Sequence, residues 1–130
     1  MDHHSGIITQ PKFRMWLRPD GIVHMTWASQ VTIDLEDAAA AISTMAELTG
    51  GRRSPLLVDL HDSGQPSRPA RLEFTRQPDL VSAVALLVGT PLSRIMGNFY
   101  LRVNAPPYPV RLVEDEASAL AWLRPFVAPR

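Results

Sequence analysis

The stretch Leu56-Leu57-Val58-Asp59-Leu60, which follows Pro55, is a short and almost continuous apolar run. A run of this kind is typical of a central strand that is covered on both faces by other elements. Strands of this type lie in mostly parallel sheets, because the connections between parallel strands place helices on the faces of the sheet. This stretch therefore predicts an α/β domain with residues 56–60 near the middle of its sheet.

The segment before this strand predicts a helix. Asp34 is a residue type that caps helices, Glu36 and Asp37 place negative charge in the first turn, and Gly50-Gly51 is typical of a helix end. Between these signals, the side chains expected to face the core recur at spacings of three and four residues. They are Leu35, Ala38, Ala39, Ile42, Met45, Ala46 and Thr49.

Two alternating segments nearer the amino terminus predict an antiparallel hairpin. Residues 13–17 and 23–27 each place apolar side chains at every second position, which is the period of a half-buried strand. The tetrapeptide Arg18-Pro19-Asp20-Gly21 separates them, and proline followed by Asp-Gly is typical of a turn. The hairpin therefore supplies the antiparallel edge of the sheet.

The segments after residue 60 continue the alternation of strands and helices. The whole order predicts an α/β single domain over residues 11–130, a mixed and mostly parallel five-stranded sheet (ββαβαβαβα) with about four helices, after a flexible tail at 1–10. The later elements are a loop at 61–69, a helix at 70–76, a strand at 81–88, a helix opened by Thr90-Pro91, a strand at 110–113 and a helix at 116–123.

Composition excludes several classes of function. The 130 residues include 13 basic and 13 acidic side chains and no cysteine. Thiol catalysis, thiolate zinc sites and disulfides are therefore excluded, and a balanced charge argues against a nucleic-acid partner. The longest dense apolar run, residues 80–89, is too short to span a membrane, and the amino end lacks an export signal. We expect a cytoplasmic protein without a metal or a cofactor.

Three short motifs resemble those of a known family. They are Leu56-Leu57-Val58-Asp59, the run from Ala85 to Arg94, and Asp115-Glu116-Ala117 leading to Ala121-Trp122-Leu123. Together with the order of elements, they resemble the STAS-like (SpoIIAA-like) proteins, and in particular small uncharacterised actinobacterial members. The resemblance covers about residues 13–123. It implies the fold of the bacterial anti-sigma-factor antagonists, whereas it implies no reaction.

The resemblance also draws attention to the loop after residue 60. In the antagonists, a serine in an Asp-Ser-Ser-Gly motif of this loop is phosphorylated, and the phosphate controls binding to a partner. This chain has Asp62-Ser63-Gly64, so one serine of the motif is missing, and counting from Asp59 moves the expected position towards Ser67. We therefore expect an interaction surface at His61, Asp62, Ser63 and Ser67.

The same loop holds the residue types of a catalytic triad. His61, Asp62 and Ser63 would supply a base, an acid and a nucleophile, but consecutive residues usually point apart. A turn in which Asp62 and Ser63 bond to their own backbone explains them better. We expect no catalytic residues and no enzyme activity, with an enzyme based on His61 ranked last.

Two binding hypotheses remain. In the first, the protein is a regulatory or protein-interaction module that binds a protein partner or forms a homodimer through the hairpin. Trp16 is then an exposed aromatic anchor, although it could equally cover an open end of the core. In the alternative, the chain binds a small ligand, a lipid or a nucleotide, near Thr90, Ser93 and Arg94, where the amides of a helix start favour an anion.

Overall fold

The apolar run at residues 56–60 lies in the middle of the sheet, as predicted. The computed structural model describes residues 7–61, 66–88 and 106–128, and the run belongs to a strand flanked by two others on one side and three on the other. In chain order and in spatial order the strands are β1 (Ile7–Thr9), β2 (Phe13–Leu17), β3 (Val23–Trp27), β4 (Ser54–His61), β5 (Val81–Val88) and β6 (Val110–Val113).

The sheet is mixed and mostly parallel. Strands β1, β2 and β3 pair antiparallel, whereas β3, β4, β5 and β6 pair parallel. The carboxyl ends of β3 and β4 therefore lie side by side. Their amino ends also lie side by side, at the opposite end of the strands, next to the turn between β2 and β3. This arrangement confirms the predicted hairpin and the predicted α/β class.

The predicted count of five strands is wrong, because β1 adds a sixth. The strand Ile7–Thr9 lies within residues 1–10, which the sequence predicts to be a flexible tail. Ile8 pairs with Met15, and the amide of Gln10 donates a hydrogen bond of 2.8 Å to the carbonyl of Phe13, which closes the turn. Three residues are too few to show an alternating pattern, so the strand depends on its pairing with β2.

The described helices occur where the sequence predicts them, although Leu35 and Ala39, which the spacing predicts to face the core, are exposed, and the helix predicted at 70–76 begins at Arg68. They are α1 (Leu35–Thr49), α2 (Arg68–Thr75) and α3 (Glu116–Leu123), and a 3₁₀ helix, Arg124–Phe126, follows α3. Within the described ranges there are thus three α-helices instead of four, since the helix predicted from Thr90-Pro91 lies outside those residues. None of the described helices has the length and the apolar character needed to cross a membrane.

The ends of the helices depend on the predicted capping residues. The carboxylate of Asp37 accepts a hydrogen bond of 2.8 Å from the amide of Asp34, and that of Asp115 accepts one of 2.7 Å from the amide of Ser118. Helix α1 ends at Gly50, whose φ of 65° is in the left-handed region that favours glycine. Local capping chemistry therefore defines where these helices begin and end.

Two hydrophobic cores lie on opposite faces of the sheet. Alternate residues of β4 enter the two cores, with Leu56 and Val58 on one face and Leu57 on the other. Helices α1 and α2 cover the first face, and α3 with the 3₁₀ helix covers the second. The central strand is therefore buried on both faces, which is what its apolar run predicts.

Candidate functional site

Trp16 forms an aromatic pair with His24 on the second face of the sheet. The two residues lie opposite each other in the register of β2 and β3, and their rings stack with centroids 4.2 Å apart at 26°. Trp16 is half-buried, and it lies on the opposite face from Met15, which belongs to the first core. The side chain therefore covers His24 and still presents a surface to solvent.

His24 is deeply buried in β3. Only 5% of the residue is exposed, and among the described residues its Nδ1 has no hydrogen-bond partner. Burial lowers the pKa of His24; the carboxylates of Glu116 and Asp59 oppose this effect, whereas the guanidinium groups of Arg18 and Arg14 reinforce it. The imidazole is therefore neutral at neutral pH.

This burial predicts a pH-dependent stability. An unfolded histidine binds a proton below pH 6.5, whereas folded His24, whose pKa is lower, stays neutral, so the free energy of unfolding decreases as the pH falls below 6.5. His24→Phe removes the titrating group and should flatten this part of the curve. Urea denaturation of both proteins over a series of pH values measures the difference. Parallel curves for the two proteins would show that His24 does not cause the loss.

Ser67 lies at the start of α2, near the carboxyl ends of β3 and β4. Its hydroxyl oxygen accepts a hydrogen bond of 3.3 Å from the amide of Ala70, and its own amide donates one of 2.8 Å to the carbonyl of Ile33. Pro66 and Ile33 also form a parallel β-bridge. The segments that follow β3 and β4 therefore meet at Ser67, which is half-buried beside the exposed Arg68.

The structure separates the predicted site residues into two places. Trp16 lies on the face covered by α3, whereas Ser67 begins α2, which covers the other face. Strand β4 ends at His61. The remaining predicted residues, Asp62, Ser63, Thr90, Ser93 and Arg94, lie outside the described residues.

Residues 15–127 match the family described as "Domain of unknown function (DUF7793)". The chain belongs to this family. No curated protein matches it. One similar solved structure is an uncharacterised protein of the DUF3478 family from Shewanella loihica PV-4, described as having a SpoIIAA-like fold. It has 16% identity and a TM-score of 0.62, over 91% of this chain and 93% of that chain.

A second solved structure is a protein of unknown function from Arthrobacter sp. FB24. It has 29% identity over 95% of each chain and a TM-score of 0.33. The structure from Shewanella is the one that bears on the architecture of this DUF7793 chain. Its description agrees with the SpoIIAA-like fold that the sequence predicts, and at this low identity it supports the fold alone.

The described part of this DUF7793 chain holds no group of three or more His, Cys, Asp or Glu side chains that could bind a metal. Asp59 precedes His61, Asp62 and Ser63, the three residue types of a catalytic triad, by two to four positions. It is half-buried and is not without an interaction partner. Sequence reasoning missed the pairing of Trp16 with His24, because it considered Trp16 without the residue opposite it in the hairpin. The turn at 18–21 contained the signal, since pairing the strands across it places residue 16 opposite residue 24.

Proposed function

We propose that this protein is a non-catalytic regulatory module of the cytoplasm that acts by binding another protein or a second copy of itself. The observation that carries the proposal is the position of Ser67 in a SpoIIAA-like fold: it is the N-cap of α2, near the carboxyl ends of β3 and β4. A phosphate or a carboxylate at a helix N-terminus interacts favourably with the free amides and with the helix dipole. A negative charge at Ser67 would therefore change a surface without unfolding the helix.

A second feature supports binding at the edge of the sheet. Ile7 of β1 lies opposite Trp16 in the register, and it is 55% exposed. We call Ile7 and Trp16 the edge surface. Strand β1 is the last strand on its side of the described sheet, and an apolar edge strand is a usual place for pairing with another chain. An aromatic side chain here is the kind of anchor that contributes most of the energy at an interface.

The proposal is tested with three variants and a matched control. The protein is used to capture partners from a lysate of its own source cells, and its self-association is measured by sedimentation equilibrium. Trp16→Ala should weaken binding at least tenfold, because a truncated anchor costs about 2 kcal/mol or more. Leu72→Ala, which removes a 39% exposed side chain from α2, should leave binding unchanged.

The two Ser67 variants separate the effect of charge from the effect of the cap. Asp at an N-cap accepts the same hydrogen bond and adds a negative charge, whereas Ala removes the cap and costs about 1 kcal/mol of stability. We expect Ser67→Asp to change binding and Ser67→Ala to change mainly the free energy of unfolding. If every variant binds as the unmodified protein does, neither surface takes part. If the unmodified protein neither captures a partner nor associates with itself, the proposal is wrong.

A further inference from the structure

A cleft with a volume of about 100 Å³ opens near the amino ends of β3 and β4, whereas Ser67 lies near the carboxyl ends of these strands. Its walls come from the β2–β3 turn, the end of α1, the approach to β4 and the segment after the 3₁₀ helix. The residues that matter for its chemistry are Arg18, Asp20, Arg52, Arg53 and Val127. The cleft therefore brings Arg18 of the β2–β3 turn together with the consecutive pair Arg52 and Arg53.

Within residues 7–61, 66–88 and 106–128, one of these three arginines is paired with a carboxylate. The Nε of Arg18 donates to both carboxylate oxygens of Asp20 at 3.2 Å, and Asp20 also accepts a hydrogen bond of 3.1 Å from the amide of Ile22. Arg52 and Arg53 are exposed, and among the described residues neither forms an ion pair. The walls of the cleft thus carry an excess of positive charge, although the whole chain has a formal net charge of zero.

The backbone turns sharply just before the two consecutive arginines of the cleft. Here Gly50 and Gly51 have φ values of 65° and 81°, which turn the chain sharply after α1. Two backbone hydrogen bonds hold the turn. The amide of Gly51 donates to the carbonyl of Ala46 at 2.9 Å, and the amide of Arg52 donates to the carbonyl of Thr49 at 3.2 Å. Both arginines therefore lie just before β4 begins.

The turn between β2 and β3 fixes the opposite wall. Gly21 has a φ of 89°, and a Cβ atom placed on it would lie 2.7 Å from Cγ1 of Val127. Any other residue there would meet both backbone strain and a steric clash. The close approach of Val127 to Gly21 supplies an apolar wall beside the pair formed by Arg18 and Asp20.

Attraction of cations to the carboxyl end of α1 explains part of this arrangement, but not all of it. Positive side chains near a helix end are stabilised by the helix dipole. That effect needs neither Arg18, which comes from the β2–β3 turn, nor a cavity between the three side chains. Arg18, Arg52 and Arg53 around one opening form the kind of cluster that recognises phosphate groups, because guanidinium forks donate paired hydrogen bonds to oxyanions.

We propose that this cleft binds a phosphate dianion, either as free inorganic phosphate or as the phosphate of a small monoester. The cleft volume of about 100 Å³ is well below the roughly 300–1,000 Å³ of pockets for drug-sized ligands, which suits a small ligand such as a single oxyanion. Arg52 and Arg53 supply positive charge that no carboxylate of the described residues pairs with, and Arg18 supplies a guanidinium already oriented by Asp20. This site is distinct from Ser67 and from the edge surface, so it stands or falls independently of the proposed function.

Isothermal titration calorimetry on the full chain tests the site, with inorganic phosphate and glycerol 3-phosphate as probes. Titrations at about pH 7.5 keep the monoester almost wholly dianionic, since the second pKa of a phosphate ester is about 6. Inorganic phosphate loses its second proton nearer neutral pH, and at this pH its dianion predominates. We expect binding with a Kd in the millimolar range or tighter. Arg52→Gln and Arg53→Gln should each weaken it at least tenfold. Arg111→Gln removes the same charge from an exposed position on β6, at the far edge of the sheet, and should have no effect.

Each outcome of this titration decides the question. Tighter binding of the monoester points to a small phosphorylated molecule, and tighter binding of inorganic phosphate points to the free ion; both support the site if the two variants lose it. Absence of binding to the unmodified protein would overturn the proposal. An equal loss in Arg111→Gln would also overturn it, because the effect would then come from net charge. Thermal unfolding of each variant shows that the loss does not come from unfolding.

Discussion

Replacing Trp27 with alanine should lower the free energy of unfolding by about 3–5 kcal/mol, which is typical of a large aromatic residue removed from a core. The side chain is only 2% exposed, and its ring meets that of Phe13 edge to face with centroids 5.1 Å apart. It lies in the first core, together with Met45 of α1. The variant would leave a cavity between the sheet and α1, with Phe13 deprived of its aromatic contact.

Urea denaturation followed by circular dichroism measures this effect, because loss of the indole prevents a fluorescence comparison at that position. Trp27→Phe keeps an aromatic ring at the site and should lose clearly less stability than Trp27→Ala. Trp122→Ala is a matched control, since Trp122 is half-buried and packs mainly against Phe126, with ring centroids 5.2 Å apart. Equal losses in Trp27→Ala and Trp122→Ala would contradict the assignment of Trp27 to the main core.

Leu123→Ala should lower the free energy of unfolding by about 2–5 kcal/mol, the range for a fully buried leucine. Leu123 is 0% exposed in the second core, where α3 packs on Leu57 of β4. This core has small residues on the sheet side, including Ala83 and Ala85 of β5. Small side chains let α3 lie close to the sheet. They are also too short to move into the space that Leu123 would vacate, so the variant would keep a cavity.

Leu35→Ala is the matched control for this variant, because the same atoms are removed from a side chain that is 46% exposed. It should cost less than about 1 kcal/mol, since much of that side chain already contacts water. The two variants are compared by urea denaturation under the same conditions. A loss in Leu35→Ala as large as that in Leu123→Ala would mean that burial at the second core does not explain the stability.

Much of the fold could be predicted because its signals are local. The N-cap residues Asp34 and Asp115 and the glycine at position 50 are close in sequence to the helices they delimit, and the structure places them at those helix ends. Strand β5 and helix α3 begin and end at the predicted residues. Ser67 shows the limit of this reasoning. Its position near the expected site came from a family resemblance, and its role as the N-cap of α2 came from the structure.

The sequence by itself determined the class of the fold, the order of its main elements and the depth of its central strand, because periodicity and capping act between residues a few positions apart. Only the tertiary structure decided three other features. They are the pairing of β1 with β2, the stacking of Trp16 on a buried His24, and the cleft formed by Arg18, Arg52 and Arg53. Each joins segments that do not adjoin in sequence, and their packing depends on the register of the sheet.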